Sequence, residues 1–432
     1  MTGRSADVGV IGLGYVGLPL AGAFVDAGMR VVGFDIDRAK AEHFAAGRTY
    51  LRHLGAGFVL RLRDSGRMDV TTDFDRLAEC GAVLVCVPTP LGPGREPDLS
   101  YVERTCEEIA SRLGRGQLVV LESTTYPGTT REVVLPILEA GSGLKVGRDV
   151  WLAYSPERED PGRADRTAAE IPKLVGGVDE GSGDRAATLY GRAFREVVRV
   201  SSAEVAEAAK IHENVFRAVN IAMVNEMKTV LGAMGIDVWE VIDAASTKPF
   251  GFMRFDPGPG LGGHCIPIDP YYLAWRAERA GSPSRFIELA GEVNHAMPGR
   301  VVDRVAEALG SVGKVVEGSR VLVLGVAYKP EVDDVRESPA FEVLAGLRER
   351  GAEAVYHDPY IPELWPMRRH DLGLRSVEWG EEELCRADCV VIVTAHGWYD
   401  WRRVAERAGL IVDTRDAVRR ALGRRPGHVW PA

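Results

Sequence analysis

The sequence is short of cysteine, carries no excess of positive charge and lacks any long apolar run. Each shortage closes off a class of function. Six cysteines (Cys80, Cys86, Cys106, Cys265, Cys385 and Cys389) are spread over 432 residues. They form no C-x-x-C pair and no zinc-ligand pattern with histidine, so neither a disulfide framework nor a metal is expected. Cys385 and Cys389 are spaced for one helical face and are expected to be packing residues. With 62 acidic against 53 basic residues the formal charge is −9. That balance favours neither nucleic acid nor an anionic membrane as a partner, and an anionic ligand must be met by local groups. No apolar run reaches the length of a membrane span. The opening MTGRSADVGVIGLGYVG runs straight into a strand, with no signal peptide visible. A reducing, cytoplasmic setting is expected.

Glycine and proline are concentrated in one stretch near the middle, GPGLGGHCIPIDPYYLAW at 258–275. Glycines let a backbone turn tightly and approach a ligand closely. Pro267 and Pro270 are expected to exclude a regular helix through it. Cys265 lies here, with Asp269 four residues on. A rigid loop carrying a thiol and a carboxylate is a candidate site. The plainer alternative is a small buried hydrophobe in a tight loop.

The N-terminal region reads strand, glycine turn, helix, strand, acid. DVGVIG leads into GLGYVG, with Gly12, Gly14 and Gly17 in G-x-G-x-x-G register, and the apolar run of MRVVGFDID is closed by Asp35. Gly12 permits the turn, Gly14 admits a pyrophosphate to the backbone, and Gly17 lets helix pack on strand. The helix N-terminus offers free N–H groups to phosphate. An acid at position 35 suits the adenosine ribose of NAD, while nearby Arg38 leaves NADP open. Apolar runs at 81–90, 117–130 and 150–160 continue the alternation of strand and helix. Ligands bind beyond the carboxyl ends of such strands, so Pro88–Thr89 and Ser123–Thr125 are expected to face cofactor or substrate, and Glu157 stands in a similar place. Turn capping is the plainer role for those hydroxyls.

From about 203 to 233 the pattern is helical, roughly 30 residues or about 45 Å long. Ser201 and Glu204 fit a capping box at its start. A helix of this length suits a domain bridge or a dimer interface. Lys210 and Asn214 share one face of it. Residues 285–310 also look helical, and 319–359, 388–396 and 409–415 repeat the strand–loop–helix–strand plan. The expectation is an α/β chain: two Rossmann-like, doubly wound domains (1–202 and 309–432) joined by a helical middle domain (203–308) with a long central helix.

Taken in order, GLGYVGLPLA, VPTP, STTYPGTT, SPERED, AAKIHENVFRAVNIAMVNE, GPGLGGHCIPIDPYYL, GVAYKPEVDDVRESP and VDTR resemble the UDP-glucose/GDP-mannose dehydrogenase family, the nucleotide-sugar 6-dehydrogenases. The likeness covers nearly the whole chain. GHCIPIDPYYLAW is similar to the branch acting on UDP-N-acetylhexosamines. The resemblance implies oxidation of a sugar's C6 alcohol to a carboxylate with two NAD. Cys265 matches the nucleophile, which forms a thiohemiacetal and then a thioester. Lys210 and Asn214 match the pair that holds the substrate and stabilises an oxyanion at C6. Asp269 matches the carboxylate working with that lysine and a water. Thr124 and Glu157 match a polar pair near the water, with Glu157 as base or scaffold.

The same resemblance implies a cofactor set of Gly12, Gly14, Tyr15, Val16, Gly17, Asp35, Arg38, Pro88, Thr89, Ser123, Thr124 and Arg336. Arg336 is expected on the pyrophosphate, across a domain cleft. For the nucleotide sugar it implies Glu157, Lys210, Asn214, Gly262, Lys329 and Arg415; for Arg336, Lys329 and Arg415 the alternative is a surface ion pair with Asp333, Asp334, Glu337 or Asp413. Lys248 and Arg254 join that set because STKPFGFMRFDPGPG departs from the N-acetylhexosamine branch, where proline and an aromatic tend to replace Arg254 and Asp256. The sugar stays open between glucose and an N-acetylhexosamine, and the base between uridine and thymidine. A homodimer or higher homo-oligomer is expected. Two rivals are a two-electron β-hydroxyacid or 6-phosphogluconate-type dehydrogenase and a non-catalytic nucleotide-sugar binding protein.

Overall fold

Strand β1 (Ala6–Ile11) is buried along almost its whole length, and its residues alternate between two cores. Val8 and Val10 pack on one side of the sheet and Ile11 on the other. The same alternation runs through β4 (Cys80–Val85) and β5 (Leu118–Leu121). Runs of Val, Leu and Ala without polar interruption suit strands covered on both faces, as parallel strands are. Each Val or Leu side chain contributes about 1.5–3 kcal/mol on full burial. A computed structural model of the chain describes residues 4–92, 94–158, 168–263, 266–366 and 370–432. They gather into two compact units, Met1–Glu213 with Tyr271–Pro283 and Asn214–Pro270 with Ser284–Ala432.

The first unit adds β2 (Val31–Phe34), β3 (Met68–Thr71), β6 (Trp151–Tyr154), β7 (Lys173–Gly177) and β8 (Val197–Arg199). Its sheet runs β3-β2-β1-β4-β5-β6-β7-β8, and among these pairs β6–β7 is antiparallel. The first six strands are in doubly wound order, which reverses between β1 and β4 and opens a crevice at their carboxyl ends. Strands β7 and β8 extend the sheet beyond the sequence reading. The second unit holds a parallel sheet ordered β10-β9-β11-β12-β13, from β9 (Arg320–Leu324), β10 (Glu353–His357), β11 (Cys389–Ile392), β12 (Ile411–Asp413) and β13 (Val429–Pro431). The α/β, doubly wound expectation holds for both.

Both units turn the chain in the same way after their first strand. Gly12 has φ +90°, and a Cβ there would lie 2.4 Å from the Cys86 carbonyl oxygen. Gly325 has φ +79°, and its Cβ would lie 2.2 Å from the Thr394 carbonyl oxygen. An acid past the second strand then caps the turn. Asp35 accepts the Leu13 N–H at 2.8 Å, and Asp358 accepts the Val326 and Ala327 N–H groups at 2.7 and 3.0 Å.

Three local expectations need correction. The long helix spans Ala203–Ala233, and Ser202, not Ser201, caps it, its hydroxyl accepting the Val205 N–H at 3.4 Å. Cys385 lies in the short helix Glu381–Arg386 while Cys389 opens β11, so they share no helical face. Pro270 does not exclude a helix: Asp269–Arg279 is helical, with the proline in its first turn, where no N–H is needed.

Gly325→Ala is expected to cost about 2–4 kcal/mol, since both the left-handed backbone and the carbonyl contact oppose a side chain. Gly28→Ala, at φ +81° with open space around it, is expected to cost only about 1–2 kcal/mol. Urea unfolding of the two variants checks the difference; equal midpoints would contradict it.

Candidate active site

In the first unit the glycine turn forms a bare cradle. Gly17 opens the helix Gly17–Asp26, and a Cβ on it would strike the Gly12 carbonyl at 1.9 Å. At Gly14, by contrast, a Cβ would meet nothing within 4 Å. The open side of the turn therefore lies at the helix N-terminus, whose first turn carries no acid and no side-chain cap. That combination fits a pyrophosphate. Val16 stands at the N-cap position, and the Tyr15 ring stacks on His53, centroids 5.1 Å apart. Asp35 is buried and also accepts the Asp37 N–H at 3.0 Å and a salt bridge from Lys40 at 2.7 Å. Lys40, which the sequence reading passed over, is the cation paired with this acid. Arg38 instead points to solvent and pairs with Glu42.

Beyond β4 and β5 the foreseen polar turns serve mostly as braces. The Ser123 hydroxyl donates to the Val87 carbonyl at 2.8 Å, closing the β4 end against the β5 end. Pro88 is exposed, and the carbonyl of buried Thr89 accepts the Tyr272 hydroxyl. Thr124 is half-buried at the head of the TTYPGTT turn. Glu207, on the long helix and fully buried, holds that turn by accepting the Gly128 N–H at 2.6 Å, the Thr130 N–H at 2.9 Å and the Thr130 hydroxyl at 2.6 Å. Burial pushes the Glu207 carboxyl up to about 7 against those donors.

Glu157 is tied into a second buried set that sequence alone did not mark. Lys173 binds Glu122 at 2.7 Å and approaches Glu157 at 3.6 Å, and the Tyr190 hydroxyl donates to Glu122. Lys173, Glu122 and Tyr190 are buried. Burial works against the Lys173 charge, but the two carboxylates outweigh it and raise its pKa. Lys210, also buried, belongs to this unit.

The second unit contains the glycine loop. His264 and Cys265 lie outside the described residues, but both flanks of the loop are fixed. Asn214 donates to Asp269 at 2.6 Å, and both are buried, so the structure brings these two foreseen residues together. Asn225, three turns further along the helix, accepts the Gly258 N–H at 2.9 Å and donates to Asn294 at 2.9 Å. Gly260, at φ +132°, packs where its Cβ would lie 3.4 Å from the Asn294 carbonyl oxygen. Pro298, inside the helix Arg285–Ser311, has no N–H for that carbonyl. Gly262 lies against Tyr328, and the Gly263 N–H donates to the Arg336 carbonyl at 2.9 Å. Spacing from Asn214 could have flagged Asn225, since eleven residues return to the same helical face.

The foreseen basic residues divide. Arg415 is largely buried; its Nε donates to the Val393 carbonyl at 2.8 Å, and its Nη1 would lie 2.5 Å from a Cβ at Gly258. Asp413 binds its backbone N–H rather than its guanidinium. Arg336 does take an ion pair, with Asp334 at 2.6 Å. Lys329 Nζ lies 5.6 Å from the Tyr328 ring centre. Arg254 is clasped between Asp243 and Asp256, both at 2.8 Å. Lys248 is exposed over Phe250.

Burial keeps Cys80, Cys106 and Cys389 as thiols, pushed up to about 12, and Cys86 is raised too. A thiolate nucleophile is therefore not to be sought among them.

A bare glycine turn at the crevice of a doubly wound sheet defines a dinucleotide-binding protein. Comparison with known proteins narrows that class. Models of the UDP-glucose/GDP-mannose dehydrogenase family match residues 6–194 (NAD binding domain), 204–296 (central domain) and 322–420 (UDP binding domain). UDP-N-acetyl-D-glucosamine 6-dehydrogenase of Pseudomonas aeruginosa is 35% identical over 91% of each chain. UDP-N-acetyl-D-mannosamine dehydrogenase of Pyrococcus horikoshii is 34% identical over 95% of this chain and 96% of the relative. Among solved structures, a UDP-D-ManNAc dehydrogenase from Pyrococcus horikoshii superposes with TM-score 0.88 at 31% identity, covering 98% of each chain. A UDP-glucose dehydrogenase from Pyrobaculum islandicum gives 0.85 at 30% identity, covering 100% of this chain and 99% of that one. The chain belongs to the UDP-glucose/GDP-mannose dehydrogenase family and is an NAD-dependent nucleotide-sugar dehydrogenase. Among the described residues no helix is long and apolar enough to cross a membrane.

Glu207→Ala leaves two buried N–H groups without an acceptor and is expected to lower stability by about 2–4 kcal/mol at pH 5. A carboxyl raised to about 7 keeps its proton in the native state after the unfolded chain has released it. Wild-type stability owed to this group therefore falls as pH rises from about 4.5 to 7. The gap between wild type and variant, read from unfolding midpoints, is expected to narrow across that window; a widening gap would contradict the burial of the carboxyl.

Proposed function

We propose that this enzyme oxidises the C6 hydroxyl of a UDP-N-acetylhexosamine to the uronate, in four electrons, through a Cys265 thioester. The observation that carries the site assignment is the buried Asn214–Asp269 pair beside the glycine loop. It supports the roles that the resemblance assigns to this constellation. The N-acetylated sugar is favoured by the names of the relatives in the preceding comparison and by Arg254, whose two carboxylates occupy it. A two-electron dehydrogenase is not favoured, because the chain carries a second nucleotide-binding sheet and a match to a UDP binding domain.

NAD supplies the hydride acceptor, one molecule for each two-electron step. The chain's own residues do the rest. Lys210 and Asn214 hold the oxygen at C6 and stabilise its negative charge. The Cys265 thiolate adds to the C6 aldehyde, which keeps it from leaving and makes it oxidisable again. Water then cleaves the thioester to carboxylate and thiol. Asp269 and Lys210 move protons, and Glu157, held against Lys173 and the Arg158 N–H, is the base for that water. Gly12, Gly14, Gly17 and Asp35 hold the dinucleotide; Arg415 and Lys329 take the nucleotide of the sugar. The enzyme acts in the cytoplasm as a homodimer. Phe216, Met223, Met227 and Val230 form an exposed stripe at heptad spacing on the long helix, and exposed Met234 follows directly after its end, as a helix–helix seam would.

Incubation with NAD and a panel of UDP-N-acetylglucosamine, UDP-N-acetylmannosamine, UDP-glucose, TDP-glucose and GDP-mannose tests the reaction. Two NADH per sugar and a product about 14 mass units heavier are expected for the thioester route; one NADH per sugar would refute it. Cys265→Ala is expected to abolish uronate while NAD and UDP binding persist, and undiminished uronate would sink the covalent step. Light scattering is expected to give a dimer, reduced to monomer by Met227→Glu with Met234→Glu. A monomeric wild type would remove the proposed interface.

A further inference from the structure

The second unit contains a lysine whose placement neither the fold nor the reaction so far explains. Lys228 lies on the long helix, on the face that carries Asn214 and Asn225: its offsets of fourteen and three residues keep all three within one stripe. Its stem is partly exposed, yet its Nζ is buried and, among the described residues, has no hydrogen-bond partner. Lysines ordinarily do the reverse, burying the stem and keeping the ammonium in water. A buried ammonium without a partner costs free energy unless something anionic completes it.

The surroundings make the deficit larger. Burial lowers the Lys228 pKa to about 7, and the charges that add to this are all cationic: Arg415, Arg300 and Arg304. Arg300 is turned to the Thr229 hydroxyl, and Arg304 to the Pro431 carbonyl and Glu307. Arg415 is different. Among the described residues its guanidinium has one hydrogen bond, from Nε to a carbonyl, and no carboxylate. The two acids that act on it are engaged elsewhere. Asp413 takes the backbone N–H groups of Arg415 and Val418, and Asp256 takes Arg254 and Arg420. Two cations close enough to act on each other thus lie at the Gly258 end of the glycine loop with no paired carboxylate among the described residues.

We propose that Lys228 is a substrate-binding residue: together with Arg415 it forms a two-cation seat for a phosphate of the nucleotide diphosphate. This rests on the reading of the protein as a nucleotide-sugar enzyme. It adds a residue on the long helix, whose Asn214 and Asn225 hold Asp269 and Gly258, to the ligand-binding set. An apolar residue at 228 would make a more stable empty protein and a poorer binder.

Calorimetry and thermal shift with UDP, and with uridine as the phosphate-free control, test this on the full chain and on K228M and K228R. K228M is expected to melt no lower than wild type without ligand. Its UDP affinity is expected to fall at least tenfold, with uridine and NAD affinities within twofold of wild type. K228R is expected to keep UDP affinity within about threefold, since it keeps the charge. If K228M fails to fold, K228Q makes the same comparison. UDP binding by K228M within twofold of wild type overturns the assignment, and so does an equal loss of UDP and uridine, which marks a structural role. Those two results leave the nucleotide-sugar reading standing. A wild-type protein that binds neither UDP nor the UDP sugars overturns that reading and this one together.

Discussion

The buried carboxamide of Asn225 is committed on both sides. Its oxygen accepts the Gly258 N–H and its nitrogen donates to Asn294, whose own amide donates to the Ala218 carbonyl at 3.1 Å. An unpartnered amide at such a place costs about 1–3 kcal/mol, so this chain of bonds allows one placement of the glycine loop against the two long helices. The rest of the second unit follows from it. Gly260 can approach the Asn294 carbonyl because Pro298 gives that carbonyl no helical donor. Gly262 and Gly263 then lie against Tyr328 and the Arg336 carbonyl. On the far flank, Asp269 starts a helix with its carboxylate on Asn214. The flanks of the glycine loop are thus held by the amides of Asn225 and Asn214, which do not titrate.

The two sheets solve the same steric problem alike. After the first strand each chain must pass the carbonyl at the end of a neighbouring strand, with room for no Cβ, and each places an acid past the second strand to collect the free N–H groups. They then diverge. In the first unit the turn opens to an uncapped helix N-terminus. In the second, the region is filled by His396, which donates to Asp358 at 3.1 Å and accepts the Glu331 N–H, and Thr394 donates to the Ala327 carbonyl at 2.6 Å. One geometry thus supports a dinucleotide turn in one place and a packed polar core in the other.

Charge is distributed so that an acidic protein can meet an anionic ligand. Most arginines at the surface are neutralised by adjacent carboxylates, as Arg254 is by Asp243 and Asp256 and Arg336 by Asp334. Lys173 is buried but balanced by Glu122 and Glu157. Among the described residues Lys228 and Arg415 take no ion pair, so the potential there is set by local groups and not by the net charge of −9.

Much of this was legible along the chain. Gly12, Gly14, Gly17 and Asp35 sit at spacings dictated by one turn and one strand–helix–strand unit, and the apolar runs declare buried parallel strands, because backbone sterics and periodicity act over a few residues. The 31-residue helix was legible for the same reason. What the linear order could not reveal are the partners that folding brings from 50 to 190 residues away. Glu207 meets Gly128, Lys173 meets Glu122, and Lys228 comes under the charge of Arg415. Whether a carboxylate is a base, a brace or half of an ion pair depends on burial and on the charges facing it. Those are properties of the packed interior, which no local spacing encodes.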